Sequence, residues 1–289
     1  MKQHIGFIGL GVMGQSMAKN LINSGYSLHI YTRTKEKAAN LMQLGAVWHD
    51  SVEDVVKHSE IIITMIGYPK DVEEVYLGEK GIINSAHPDT VLIDMTTSQP
   101  ALAKKIYDDA KQKKLYALDA PVSGGDIGAR EARLAIMVGG DIEVYQKSLP
   151  IFEVLGENIV YQGEAGSGQH TKMCNQIAIA SGMIGVCEAI SYAEKSGLDP
   201  ANVLKSISSG AAGSWSLSNL APRMLKEDFE PGFFVKHFLK DMGIALDEAN
   251  DMEMMTPGLK LAYELYNQLA QYGEENSGTQ ALIKLWRDK

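Results

Sequence analysis

Two short segments carry residue types at spacings that can do chemistry. One is Gly166-Ser167-Gly168-Gln169-His170-Thr171-Lys172-Met173-Cys174-Asn175-Gln176, where Lys172 and Asn175 stand at i and i+3 and share a helix face. From Gln169 to Lys195 the only formal charges are Lys172, Glu188, Glu194 and Lys195. A lysine in the first turns of such a helix meets burial and the positive end of the helix dipole, and both favour its neutral form. A neutral amine near physiological pH can accept and return protons. The competing reading is a lysine that snorkels to solvent from the helix start. The other segment is Asp119-Ala120-Pro121-Val122-Ser123-Gly124-Gly125, directly after a strand-like run. Successive glycines present backbone N–H groups as a concave nest for an anion, and Ser123 adds a hydroxyl. An ordinary tight turn would read the same way.

A third segment, Ile8-Gly9-Leu10-Gly11-Val12-Met13-Gly14, joins an apolar strand to a helix. In that context Gly-x-Gly-x-x-Gly is a dinucleotide fingerprint. Gly9 makes the tight turn, Gly11 lets the backbone approach a pyrophosphate, Gly14 packs helix on strand, and the helix N-terminus faces the phosphates. The end of the second strand reads Tyr31-Thr32-Arg33-Thr34, with no acid before Glu36 to hold ribose hydroxyls. Arg33 can pair with a 2′-phosphate and Thr34 can add a hydrogen bond, which favours NADP while leaving NAD possible. Alternatively Arg33 is a solvated surface residue and Thr34 caps the next helix.

Gly-Leu-Gly-x-Met-Gly-x-x-Met-Ala-x-Asn-Leu at the N-terminus resembles the signature of the β-hydroxyacid dehydrogenase family, which includes 3-hydroxyisobutyrate dehydrogenases. The later segments resemble the same family in the right order. The resemblance implies that Ser123, Gly124 and Gly125 hold a substrate carboxylate. It implies that Lys172 is the acid/base and that Asn175 orients substrate or lysine. In Phe233-Phe234-Val235-Lys236-His237-Phe238-Leu239-Lys240-Asp241 it places Lys240 near the nicotinamide end of the cofactor, with Asp241 and Phe233 as pocket candidates. From spacing alone, Lys236 and Lys240 at i and i+4 read as one exposed helix face. Leu10, Val12 and Met13 belong to the cofactor loop, and Met65 and Thr96, after two further strands, fall where the family lines the cofactor cleft; core packing and strand-end capping are their ordinary readings. Gly67-Tyr68-Pro69, Asp126-Ile127-Gly128-Ala129-Arg130 and Ser214-Trp215-Ser216 depart locally from the family pattern and leave the particular hydroxyacid open.

The elements that must position these residues are legible in outline. Strand-like runs at 5–8, 28–31, 61–66, 91–95, 115–119, 134–138 and 159–161 alternate with helical segments. Such alternation predicts an α/β fold, a Rossmann-type doubly wound and mostly parallel sheet over residues 1–163. No strand alternation follows, so an all-helical substrate and oligomerisation domain is expected over 164–289. It opens with a long helix, apolar on most faces, that should be buried between domains or subunits of a homodimer or homotetramer. Gly25 and Gly45 read as helix C-termini, Ser51-Val52-Glu53-Asp54 as a capping box, and Asp141, Asp199-Pro200 and Thr256-Pro257 as helix starts.

Bulk properties narrow the function classes. The chain has 289 residues, 45% hydrophobic and 22% charged, enough for two domains with real cores. A formal net charge of -9 with no basic face argues against nucleic acid and an anionic membrane surface. No targeting pattern is evident and no apolar run approaches about 18 residues, so a cytoplasmic protein without a membrane-spanning helix is expected. Cys174 and Cys187 lie 13 residues apart on one predicted helix, roughly 20 Å along its axis, too far for a disulfide. The seven histidines form no metal-ligand spacing, and no metal is expected.

The sequence reading is an NAD(P)-dependent dehydrogenase or reductase of short β-hydroxyacids, with a small-molecule hydroxyacid or semialdehyde acid as its partner. The alternatives are a glyoxylate, succinic semialdehyde or tartronate semialdehyde reductase on the same scaffold, and a non-catalytic dinucleotide-binding protein. An imine reductase fits less well because Lys172 is present.

Overall fold

The computed structural model describes residues 3–287. The chain forms two compact units, Met1–Lys172 and Met173–Lys289. The first carries a nine-stranded sheet: β1 His4–Ile8, β2 Ser27–Tyr31, β3 Val47–Trp48, β4 Ile61–Thr64, β5 Val91–Asp94, β6 Tyr116–Asp119, β7 Val122–Ser123, β8 Leu134–Gly140 and β9 Gly156–Gly163. The order is β3-β2-β1-β4-β5-β6-β8-β7, with β9 on β8. The six strands β3-β2-β1-β4-β5-β6 run parallel, the doubly wound order expected from the alternation of strands and helices. β8 is antiparallel to both β6 and β7, and β9 is parallel to β8. The two-residue strands β3 and β7 were not visible as strand-like runs, being too short to show alternation.

Helices cover both faces of the central strands, and β4, Ile61–Thr64, is buried at every position for that reason, while the edge strand β9 is half-buried or exposed at all but its first residue. Side chains alternate between the faces. Ile5, Phe7, Ile61, Ile63, Ile93 and Leu118 enter one core with Met17 and Leu21, while Ile8, Ile62, Leu92 and Ala117 enter another with Val55 and Tyr76.

The second unit is helical. Its core contains Met173, Met183, Cys187 and Ile190 of helix Ser167–Lys195, Phe238 and Met242 of helix Val235–Asp251, and Leu259 and Tyr266 of helix Pro257–Leu269. The long helix is not buried on all sides within the chain. Cys174, Ala178, Ser181, Gly182, Gly185, Glu188 and Tyr192 lie on its exposed face. A Cβ at Gly182 or Gly185 would meet no protein atom within 4 Å, whereas Ser181 packs close to Gly258. By length and composition this helix is also apolar enough to cross a membrane, contrary to the sequence expectation: its best 18-residue window has a mean hydropathy of 1.4. Alanine, isoleucine and methionine raise that mean although polar residues interrupt every run, and 44% of the window is buried inside the chain.

Local punctuation follows turn chemistry. Gly25 and Gly45 have φ of +86° and +99° just past their helices. Ser51 Oγ accepts from Asp54 N at 3.1 Å and Asp199 Oδ1 accepts from Ala201 N at 2.9 Å. Asp141 precedes helix Ile142–Leu155 but makes no side-chain cap bond. Its Oδ1 accepts from Tyr107 O–H at 2.8 Å instead. Thr256 likewise precedes its helix without a side-chain cap bond.

Candidate active site

In the first unit the candidate residues cluster at the C-terminal ends of the parallel strands, where ligands bind in open α/β sheets. Gly9 follows β1 at φ +100°, donates its N–H to Tyr31 O at 2.9 Å, and would place a Cβ 2.3 Å from Met65 O. A Cβ at Gly14 would lie 2.0 Å from Gly9 O, so only glycine lets the helix start this close to the turn. Gly11 is the N-cap residue of helix Val12–Asn23, and a Cβ there meets no protein atom within 4 Å. The three glycines thus divide as the fingerprint requires: two for close packing, and one leaving exposed backbone at a helix N-terminus, which fits a pyrophosphate. Leu10 is buried, Val12 is exposed and Met13 is half-buried against the core.

Arg33 and Thr34 lie exposed just past β2, and Thr34 precedes a short 3-10 helix with no side-chain cap bond. Arg33 Nη1 donates to Asp71 Oδ1 at 3.3 Å, with side-chain exposures of 78% and 24%. The β2 end therefore has a carboxylate beside it after all. It comes from the first turn of helix Pro69–Leu77, 38 residues further on in the sequence, and so leaves no signal near the strand end.

Met65 is half-buried against the core just past β4, and Thr96 is buried just past β5. Thr96 Oγ1 accepts from Ile66 N at 3.0 Å, so it ties the ends of β4 and β5 together. Behind it Asp94 is buried, and its Oδ1 accepts from Thr64 Oγ1 at 2.8 Å and Thr96 N at 3.0 Å. Burial pushes its carboxyl up to about 6 against the pull of those donors.

Ser123 ends β7 opposite Ala135. Gly124 and Gly125 follow at φ +134° and +63°, values that a side chain would strain. Asp119 ends β6, before this loop. Its Oδ1 accepts from Gly166 N at 2.7 Å and its Oδ2 from Gln169 N at 2.8 Å, which caps the long helix. Burial raises its pKa, opposed by these backbone donors. Lys172 lies one turn beyond Gln169 at 6% exposure, so it does not snorkel to solvent.

In the second unit Asn175 Nδ2 donates to Gln176 Oε1 at 2.7 Å, and Gln176 Nε2 donates to Asp241 Oδ2 at 2.6 Å. Lys240 Nζ lies 2.8 Å from Asp241 Oδ1, with side-chain exposures of 12% and 2%. The i, i+4 reading of an exposed lysine face is therefore corrected for Lys240, which tertiary packing buries beside its counter-ion. Lys236 is half-buried and donates to Asn276 Oδ1 at 2.7 Å. Phe233 packs its ring 5.6 Å from that of Phe238, at the edge of the helical core. Gln176, Gln169 and Asp94 were not singled out in the sequence, since a buried polar side chain with distant partners has no local signal. Among the described residues, no group of three or more His, Cys, Asp or Glu is placed to hold a metal ion.

Comparison with known proteins places this geometry. Residues 4–163 match the family model described as the NAD binding domain of 6-phosphogluconate dehydrogenase. Residues 166–286 match that described as NAD-binding of NADP-dependent 3-hydroxyisobutyrate dehydrogenase. An uncharacterised oxidoreductase of Bacillus subtilis is 66% identical over 99% of each chain. The chain belongs to the β-hydroxyacid dehydrogenase family. A 2-hydroxy-3-oxopropionate reductase of Escherichia coli is 39% identical over 97% of this chain and 96% of its own. The solved structure of Mycobacterium tuberculosis 3-hydroxyisobutyrate dehydrogenase with L-serine has a TM-score of 0.90 at 30% identity, covering 99% of this chain and 100% of that one. The protein is thus an NAD(P)-dependent hydroxyacid dehydrogenase with a Rossmann-type domain followed by a helical one. Bound at the glycine loop, a nicotinamide dinucleotide supplies the hydride acceptor or donor.

Proposed function

We propose that the enzyme reversibly oxidises the 3-hydroxyl carbon of a short β-hydroxyacid, with Lys172 as general acid/base and NADP as the preferred cofactor. The observation that carries this reading is that Lys172 is buried on a helix capped by Asp119, the residue that ends the strand leading to Ser123-Gly124-Gly125. The helix that carries Lys172 is thus fastened at the strand end from which the chain runs on to the Ser123–Gly125 loop. In the oxidative direction Lys172 Nζ takes the hydroxyl proton as the carbon is oxidised; in reverse it protonates the forming alkoxide. Ser123, Gly124 and Gly125 hold the carboxylate, and Asn175 orients substrate or lysine. Lys240 lies near the nicotinamide end, with Asp241 and Phe233 at the pocket edge. Gly9 to Gly14, Met65 and Thr96 cradle the cofactor, and Arg33 with Thr34 takes the 2′-phosphate. Positioning of this kind supplies much of the rate.

The proteins named in the comparisons support the substrate class. 3-Hydroxyisobutyrate, L-serine and 2-hydroxy-3-oxopropionate share a carboxylate, a substituted second carbon and an oxygen on the third. A second reading, reduction of 2-hydroxy-3-oxopropionate (tartronate semialdehyde), is favoured by the Escherichia coli relative. A homodimer or homotetramer belongs to the proposal, supported by the exposed face of the long helix, as does a cytoplasmic location. The test is steady-state turnover of 3-hydroxyisobutyrate, L-serine and 2-hydroxy-3-oxopropionate with both cofactors, in wild type and Lys172→Ala. The variant should lose at least about 10²-fold in kcat with cofactor binding little changed. Turnover near wild type in Lys172→Ala refutes the acid/base assignment. Failure to turn over any of the three acids refutes the substrate class.

A further inference from the structure

The start of the Lys172 helix is fastened in a way that a helix cap alone does not require. A helix leaves its first N–H groups without intrahelical partners, and a nearby serine, threonine or aspartate usually serves. Here the acceptor is Asp119, whose partners lie 47 and 50 residues away, one on each carboxylate oxygen. Gln169 adds a second fastening to a different strand. Its Nε2 donates to Thr96 O at 2.7 Å and its Oε1 accepts from Ser98 N at 2.9 Å, and it is fully buried. Both ends of the amide are thereby committed. A Cβ on Gly168 would lie 2.4 Å from Met137 O and 2.6 Å from Asp119 O, while one on Gly139 would lie 2.6 Å from Asp119 Oδ1. The helix start is therefore seated against the ends of β5 and β6 with no room to shift.

We infer that Asp119 and Gln169 are positioning residues for proton transfer. They fix the first turn of the helix on the strand ends that carry Thr96 and precede the Ser123–Gly125 loop, and so fix where Lys172 stands. Gln169 and Lys172 are at i and i+3 and both buried, so a displacement of the first turn is passed to the lysine. This rests on Lys172 being the acid/base. A misplacement of about 1 Å at a reacting group costs up to about 10²-fold in rate. Loosening the fastening should therefore lower kcat and leave binding of cofactor and substrate largely intact.

The experiment is a double-mutant cycle, with 3-hydroxyisobutyrate and NADP as the assayed pair. Gln169→Met keeps the length of the side chain and removes both hydrogen bonds. Asp119→Asn keeps its shape and leaves one oxygen to accept where two did. Each is expected to lower kcat about 10-fold or more, with both KM values within about 3-fold of wild type. In a Lys172→Ala background each should change the residual turnover less than about 2-fold, because interactions that act through one group are non-additive. A merely structural role would lower turnover in both backgrounds alike, and that result overturns the inference. Full kcat in Gln169→Met also overturns it, and decides the matter if Asp119→Asn does not fold. The reading beneath it fails separately, on Lys172→Ala alone, if that single variant turns over near the wild-type rate.

Discussion

Asp94 makes the stability of the first unit depend on pH in an unusual direction, and the size of the effect follows from its surroundings. The carboxyl is buried at the end of β5 and held at about 6, against an ordinary value of 3.8. Between those two values the folded state keeps a proton that the unfolded state has lost. Stability is therefore greatest below about pH 4 on this account and falls as pH rises to about 6, then levels. At about 1.4 kcal/mol for each unit, a displacement from 3.8 to about 6 corresponds to about 3 kcal/mol. Asp94→Asn removes the titration and keeps an oxygen to accept from Thr64 Oγ1 and Thr96 N. The new amide N–H adds an offset that does not vary with pH. Urea denaturation of both proteins at intervals from pH 4 to pH 8 isolates the effect. The stability of the variant minus that of wild type should rise by about 2 kcal/mol from pH 4 to pH 7, the rest of the effect lying below pH 4, and then stay level. A difference flat to within about 0.5 kcal/mol over that range refutes the raised pKa of buried Asp94.

Other groups give further expectations. His29 meets His4 and His49 through its ring nitrogens at 3.3 and 2.8 Å and stacks on His58; burial and then these neighbours lower its pKa from 6.5 to about 4. The unfolded chain binds the extra proton between those values, so this contribution is present at neutral pH and lost on acidification; His29→Gln should make the thermal midpoint at pH 5, taken relative to that at pH 7, higher than in wild type, and an unchanged difference counts against it. Arg33→Asp should lower kcat/KM for NADP at least about 10-fold more than for NAD, and Asp71→Ala should raise NADP use several-fold, because the exposed Arg33–Asp71 pair costs only about 1 kcal/mol or less to break. Equal effects on both cofactors, or a wild type that prefers NAD, refutes the 2′-phosphate role of Arg33. Ser123→Ala should raise KM for 3-hydroxyisobutyrate by about 10-fold through loss of a bond to a charged group, with KM for NADP unchanged. It is a cleaner probe than any side chain at Gly124, whose φ of +134° would strain the backbone, and an unchanged KM for the acid is evidence against a carboxylate there.

Several of these residues were identifiable from the amino-acid sequence because their signals are local. Gly9, Gly11 and Gly14 sit at fixed offsets in a strand-to-helix turn, and their spacing alone assigned the tight turn to Gly9 and the close packing of helix on strand to Gly14. Unbroken apolar runs such as Ile61-Ile62-Ile63 declared strands covered on both faces, and Asp199-Pro200 declared a helix start. These features depend on backbone sterics within a few residues, which any reader of the chain can apply.

Tertiary structure alone decided the polar pairings across long separations. Gln169 meets Thr96 and Ser98 across 73 and 71 residues, Asp119 meets Gly166 across 47, and Gln176 meets Asp241 across 65. Arg33 acquired Asp71 from another element, Lys240 left its expected exposed face for a largely buried ion pair, and four of the seven histidines, His4, His29, His49 and His58, gathered into one cluster. A hydrogen bond between distant residues leaves no periodicity and no composition bias in either segment. The bonds of Gln169 and Asp119 exist because the sheet order brings the ends of β5 and β6 side by side and because burial there removes water as an alternative partner.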